Sequence, residues 1–396
     1  MFDILKGGAL FLVLFCVGQG ALGSHWNRAE EPRPSTRETQ APAVKPTPPP
    51  GPPQDLTKSE TYEQLEALLD ARLEQHRRES AEWTRLLESA DETKQRSVVA
   101  RLRSKLLDLL HPWPGPKTDL QPQLEPWFSQ DGVDVSLVRL QTHDSLSLQC
   151  ALMILRKPAG PRPALLVLHG YDGNLQSVVA DIDYHHGFGM KLAQRGYIVL
   201  APLRVTASVA TNSKLKIKSM AGGWTLEAIN LWQLVRAVDY LSTLDQVDRG
   251  HIGVYGISYG GQHALRLSAL DQRLSLTICS GYFTDRFTWL FKNRIPMQPA
   301  KHIGILPEMG VLFDDLNLVA LIQPRFFGVE SGARDPRHRM AQEEFAKVCQ
   351  LYDHIKRPDR AQFMAFNGGH ETSVDNVASF LEHWVATPPP NEAWAP

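Results

Sequence analysis

Cysteine is scarce in this chain, four in 396 residues, which excludes a fold stapled by a disulfide framework. Cys16, Cys150, Cys279 and Cys349 stand far apart, at no metal-binding spacing, and are expected to act as small buried hydrophobes. A surplus of positive charge is also missing: 42 Lys plus Arg against 43 Asp plus Glu leave a formal net charge of -1. A protein that neutralises many phosphates needs such a surplus, so nucleic acid is not an expected partner. The apolar run over residues 9–17, behind Lys6, is about ten residues, too short to span a bilayer. There is no H-E-x-x-H, no cysteine pair at zinc spacing, no P-loop and no G-x-G-x-x-G behind an early strand, so neither metal nor cofactor is expected. No internal repeat is present.

What the chain does have is ordinary globular composition, 43% hydrophobic and 21% charged, and more length than one usual domain needs. Residues 1–23 read as a signal peptide or N-terminal anchor, ending in small residues that precede Ser24, and predict a secreted, periplasmic or envelope location. Residues 24–55 are a Pro-rich linker, with Pro48-Pro49-Pro50-Gly51-Pro52-Pro53 excluding helix or central strand. Residues 56–120 form a helical segment: Thr57 and Glu60 are spaced as a capping box, and Tyr62, Leu65, Leu69 and Leu73 recur every three to four residues. Trp83, Leu102, Leu106 and Leu110 continue the pattern until Pro112 and Pro114, and the segment is expected to pack on the domain C-terminal to it.

Residues 121–388 are expected to be the catalytic domain, with a short tail at 389–396. Residues 133–140 and 146–155 form an antiparallel pair about His143-Asp144, followed by buried strands at 164–168, 197–200, 252–255, 274–279, 326–329 and 362–366. Helical stretches such as 225–244 and 262–270 separate the later ones. The pattern predicts an α/β class fold, a mainly parallel eight-stranded sheet covered by helices on both faces.

Chemistry concentrates at Gly256-Ile257-Ser258-Tyr259-Gly260-Gly261, directly behind a strand and directly ahead of a helix. A turn this sharp lifts a serine out of the sheet edge as a nucleophile, whereas a plain Gly-rich turn would leave it facing solvent. A serine hydroxyl needs a base held in one tautomer by an acid, in the chain order Ser, Asp or Glu, His. His370, in the loop after strand 362–366, is the candidate base; His185 and His186 precede the nucleophile and read as structural residues or a pocket wall. Asp335, in the loop after strand 326–329, is the first candidate for the acid, with Glu330 and Asp285 as alternatives. The oxyanion of acyl transfer needs two backbone N–H groups. Tyr259 supplies one, and Tyr171, in His169-Gly170-Tyr171-Asp172-Gly173-Asn174, is the candidate for the other, with His169 read as structural.

Leu168-His169-Gly170-Tyr171, Val254 through Gly261, Ile322-Gln323-Pro324-Arg325 and Gly368-Gly369-His370-Glu371 together resemble the dienelactone hydrolase and acetylxylan esterase branch of the α/β hydrolases. The resemblance runs from about residue 102 to the end. It implies that Ser258, Asp335 and His370 match the family triad, and that the reaction is a two-step acyl-enzyme hydrolysis of small ester groups, often on carbohydrate. The tetrad Ser258-Tyr259-Gly260-Gly261 also resembles prolyl-oligopeptidase-type peptidases, without their propeller-sized N-terminal domain. Where related sequences often place a valine-proline pair after the acid, Pro336-Arg337-His338-Arg339 stands here.

The leading expectation is a serine esterase whose partner is a small-molecule or carbohydrate ester, with no membrane contact beyond an N-terminal anchor. A lactone or peptide hydrolase, and a non-catalytic binding module on the same fold, are the competing readings. Trp224, Trp232, Trp289 and Phe291 would serve either as a sugar-stacking surface or as core.

Overall fold

Alternation of side chains along each strand sorts the core into two layers. In the strand Arg162–Leu168, Ala164, Leu166 and Leu168 face one layer while Leu165 and Val167 face the other; in Ile198–Pro202, Ile198 and Leu200 part from Val199 and Ala201 in the same way. This two-residue period, with both sides buried, is what a central parallel sheet demands. The protein's structure is a computed structural model, which describes residues 60–87, 92–110, 117–157, 160–171, 173–204, 209–286 and 313–388. The N-terminal targeting run, the Pro-rich linker, Thr57, Trp289, Phe291 and the tail at 389–396 lie outside the described residues.

In chain order the elements are α1 (Glu60–Leu87), α2 (Glu92–Leu110), β1 (Gln123–Gln130), β2 (Val133–His143), β3 (Leu146–Leu155), β4 (Arg162–Leu168), α3 (Leu175–Val179), α4 (Phe188–Gln194), β5 (Ile198–Pro202), α5 (Val209–Ala221), α6 (Leu226–Leu241), β6 (Val247–Ile257), α7 (Tyr259–Leu270), β7 (Leu274–Ser280), α8 (Asp315–Ile322), β8 (Phe326–Gly332), α9 (His338–His354), β9 (Ala361–Phe366) and α10 (Val374–Ala386). The strands form one sheet in the order β1-β2-β3-β5-β4-β6-β7-β8-β9. Pairing is antiparallel from β1 to β5 and parallel from β5 to β9. This is the α/β-hydrolase arrangement.

The sheet has nine strands among the described residues, one more than the eight expected. The extra strand, β1, is an edge strand with no buried residue, and its register shifts beside Pro126. An edge strand tolerates proline and needs no hydrophobic face, so hydrophobic periodicity gave no sign of it.

On one face of the sheet, α2, α6, α7, α8 and α9 pack through residues such as Leu102, Leu234, Leu265, Val319 and Val348; on the other, α3, α4 and α10 pack through Val178, Phe188 and Trp384. Leu102, Leu106 and Leu110, four residues apart on α2, are fully buried in the first layer. Helix α1 behaves differently. Its later half reaches the domain, with Trp83 against the core and Ser80 Oγ bonded to Asn317, but Tyr62, Leu65 and Leu69 are 54%, 52% and 52% exposed. Their helical spacing is real, and the burial expected from it is absent. Cys150 and Cys279 are buried as expected, whereas Cys349 is exposed on α9. Arg325 is a buried stitch, its guanidinium donating to the carbonyls of Ser268, Asp271, Leu274, Leu321 and Ile322.

Candidate active site

Ser258 sits between β6 and α7 with φ 57 and ψ -118, a backbone conformation that a non-glycine residue adopts only when its surroundings over-determine it. Two glycines make the surroundings fit. A Cβ on Gly256 would lie 2.1 Å from the carbonyl oxygen of Gly260, and a Cβ on Gly260 would lie 2.1 Å from that of Leu168 at the end of β4. Both contacts are with backbone, which cannot step aside, so the spacing of glycines about the serine is a steric requirement of the turn. The Ser258 amide donates to the Ser280 carbonyl (2.8 Å), tying the turn to the end of β7.

Loops beyond β8 and β9 bring the other two residues together. His370 Nδ1 lies 2.5 Å from Asp335 Oδ2, and Asp335 Oδ1 accepts the Arg337 amide (2.9 Å). Burial pushes the Asp335 carboxyl towards protonation, but the hydrogen bonds from His370 and the Arg337 amide outweigh it and hold the group below the ordinary aspartate range. An ionised carboxylate only accepts, so His370 Nδ1 carries the hydrogen of this bond and, in the neutral ring, Nε2 is the nitrogen able to accept a proton. Gly281, with φ +59, connects this pair to the serine turn: a Cβ there would stand 2.9 Å from His370 Cε1 and 3.3 Å from Asp335 Oδ2. The residue that accepts from Ser258 is thus followed by the one whose missing side chain leaves room for the imidazole.

The two alternative acids are engaged elsewhere. Glu330 is buried, accepting from Tyr255 Oη (2.5 Å) and the Ser373 amide (3.0 Å). Burial raises its pKa to about 7 against the hydrogen bonds that lower it. Asp285 has Glu344, Asp314 and Lys347 as electrostatic neighbours.

The rings of Tyr171 and Tyr259 meet edge to face at 6.1 Å, bringing the β4 loop beside the start of α7. The Tyr259 amide is the first of α7, one of the helix's opening N–H groups that have no intrahelical acceptor. Beneath it lies a buried polar cluster that sequence reasoning missed. Glu227 accepts from Tyr259 Oη (3.1 Å), His263 Nε2 (3.1 Å) and Arg266, while Arg204 stands over the Tyr259 ring and bonds His263 Nδ1. Burial pushes Glu227 up, yet Arg266 and His263 bring it well below the usual carboxylate range; burial pushes His263 down to about 4. His169 is buried and neutral, accepting from the Arg204 amide and donating to the Gly170 carbonyl. Its reading as a structural residue fits these bonds.

Of the aromatics, Trp232 is buried with its indole N–H on the Thr142 carbonyl, a core role, while Trp224 is partly exposed and packs edge to face on His143. Among the described residues no group of three or more His, Cys, Asp or Glu side chains is arranged to hold a metal ion.

Residues 151–283 match the family model of the dienelactone hydrolase family. That stretch includes Tyr171, Ser258 and Tyr259 and stops short of Asp335 and His370. The quorum-quenching protein AidA of Acinetobacter baumannii is 26% identical over 176 residues, 43% of this chain and 50% of that protein, so the match spans only half of that relative's length. Among solved structures, a Bacteroides fragilis protein assigned as an acetyl xylan esterase superposes with a TM-score of 0.59 at 15% identity, over 70% of this chain and 77% of that one. A glucuronoyl esterase from Solibacter usitatus gives 0.55 at 17% identity, over 72% and 91%. At these identities the likeness is one of fold. Together the family match and the sheet topology bear out the α/β-hydrolase fold and the resemblance to the dienelactone hydrolase and acetylxylan esterase branch.

Proposed function

We propose that this chain is a serine hydrolase that cleaves carboxylic esters through an acyl-enzyme, with Ser258 as nucleophile, His370 as general base, Asp335 as the acid that orients it, and the Tyr259 and Tyr171 amides as oxyanion donors. The observation that carries the reading is the Asp335–His370 hydrogen bond (2.5 Å), together with a serine at positive φ whose amide is tied to Ser280, the residue before the Gly281 that lies against that pair. In the first step His370 Nε2 takes the Ser258 hydroxyl proton as Oγ bonds the ester carbon. The tetrahedral oxyanion accepts from the two amides. Collapse expels the alcohol, which leaves with the proton from the imidazolium. Water then repeats the sequence against the acyl-enzyme, releasing the carboxylic acid and regenerating Ser258.

The names of the structural relatives support an ester on carbohydrate, an acetyl group first. The family match to dienelactone hydrolase favours a lactone as the second reading. The N-terminal residues, Lys6 followed by a short apolar run and small residues, support export to the envelope or beyond.

A fluorophosphonate probe and a panel of p-nitrophenyl esters of increasing acyl length, set beside lactone and short peptide substrates, test the reading on wild type and Ser258→Ala. Wild type is expected to label and to hydrolyse short esters, and the variant to lose both by several orders of magnitude while keeping its fold. Residual hydrolysis in Ser258→Ala within about tenfold of wild type would sink the assignment.

A further inference from the structure

We infer that His185 is a positioning residue for the oxyanion loop, acting through the Gly170 amide; the inference rests on the hydrolase reading above. His185 is completely buried. Its Nε2 accepts the Gly170 N–H at 2.7 Å, and its Nδ1 faces Asp183 Oδ1 at 2.7 Å. Asp183 is itself fixed, Oδ1 also accepting the His185 amide (3.0 Å) and Oδ2 accepting Ser177 Oγ (2.7 Å). One ring nitrogen must be bare to accept from an amide, and the other must carry hydrogen to face a carboxylate, so the tautomer is determined. Burial pushes the imidazole pKa down, in keeping with the neutral form this requires.

The consequence falls on Tyr171. A Cβ at 170 would stand 2.0 Å from Tyr184 Oη, so any larger residue would have to displace that tyrosine. Glycine also has the widest backbone freedom of any residue, so Gly170 by itself cannot hold the next amide in one direction. Two histidines remove that freedom. His185 holds the N–H before the Gly170 Cα, and His169 Nδ1 holds the carbonyl after it at 2.8 Å. In a planar trans peptide the Tyr171 N–H points opposite to the Gly170 C=O, so fixing the carbonyl aims the amide.

The same short segment is stapled to the loop that carries the base. Thr372 donates its amide to the Tyr184 carbonyl (3.1 Å) and its hydroxyl to the His185 carbonyl (2.7 Å), and His186 Nε2 meets Glu371 Oε2 at 2.9 Å. His185 therefore stands between the two loops that must agree for the reaction, and sets the register of one against the other without touching substrate.

The test compares His185→Gln, His185→Asn and His185→Phe with wild type, on p-nitrophenyl acetate and the fluorophosphonate probe, with melting temperatures alongside. The glutamine amide reaches the place of Nε2 and keeps an acceptor for Gly170; the asparagine amide reaches only the place of Nδ1 and keeps the Asp183 contact. The expected result is a fall in kcat of about 10²-fold or more in the Asn and Phe variants, the scale of losing an oxyanion donor, with recovery towards wild type in Gln. KM should move by no more than about threefold, because the aimed amide acts on the transition state. The inference is overturned if Asn retains as much turnover as Gln, if all variants match wild type, or if KM alone changes. Should Phe fail to fold, the Gln and Asn pair decides. A wild type inert to both reagents would defeat the hydrolase reading and this inference with it, whereas an active wild type with indifferent variants defeats only the inference.

Discussion

Replacing Asp335 by Asn is the perturbation whose outcome the geometry fixes most closely. The Asp335 side chain is 1% exposed, and its two oxygens have different partners: Oδ1 accepts the Arg337 backbone amide and Oδ2 accepts His370 Nδ1. A backbone N–H cannot become an acceptor, so the asparagine must keep its carbonyl oxygen towards Arg337 and turn its NH₂ towards His370. The imidazole then yields: its proton moves to Nε2, the atom meant to take the Ser258 proton. The variant keeps the shape of the site and holds the base in the wrong tautomer. The loss expected from this fault in a serine triad is about 10⁴ in kcat, which corresponds to about 5 kcal/mol of transition-state stabilisation. KM should change little, since the imidazolium exists only on the reaction path. Steady-state kinetics on p-nitrophenyl acetate, with Glu330→Gln and Asp285→Asn measured beside it, provide the assay. The reasoning is refuted if Asp335→Asn stays within tenfold of wild type, or if either of the other two is the severe loss.

Electrostatics fix three further outcomes. Glu330 binds its proton more tightly folded than unfolded, its pKa rising from 4.5 to about 7, so wild-type stability should fall as pH climbs through that interval; Glu330→Gln should flatten the fall, read as melting temperature between pH 4.5 and 8. His186 lies between Asp181 and Glu371, whose hydrogen bonds raise its pKa. Its contribution is complete below the unfolded value of 6.5 and lost as pH rises through the raised one, so His186→Gln should erase that alkaline decline in melting temperature. Glu227→Gln leaves buried Arg266 without its carboxylate and should cost about 3 to 5 kcal/mol, or roughly 4 to 8 °C in melting temperature for a unit of this size; a shift under 2 °C would contradict the assigned pairing.

How much of this was legible in the sequence depends on the range over which each constraint acts. The serine turn was readable because its glycines and serine fall within six consecutive residues between a strand and a helix, although one of them, Gly260, answers to Leu168 at the end of the neighbouring strand β4. His370 and Asp335 were readable because strand ends mark where loops gather, and the loops beyond β8 and β9 do gather. The edge strand β1, exposed but for a half-buried Phe128, gave no periodicity to read. Tyr62, Leu65 and Leu69 gave a false one, since a helical stripe states where a face lies and not whether anything covers it. Arg204, Glu227 and Arg266 were missed because charged residues are expected at the surface and are buried only when paired, and their pairings join residues 32 to 59 positions apart.

The β4 loop shows why a motif and its support differ in legibility. Gly170 leaves room for Tyr184 Oη, which stands where its side chain would lie, and a glycine between a strand and a turn is easy to notice. That glycine leaves the following amide undirected, so any use of the amide obliges some other group to hold it. The holder must accept or donate in one fixed sense and must itself be anchored, as His185 is by Asp183. Nothing obliges it to lie at a helical or strand period from the glycine, and here it lies fifteen residues on, in a segment without regular strand or helix. A flexible residue at a site where direction matters is therefore itself a signal to search for a buried, tautomer-fixed partner, even where sequence spacing offers no means of naming it.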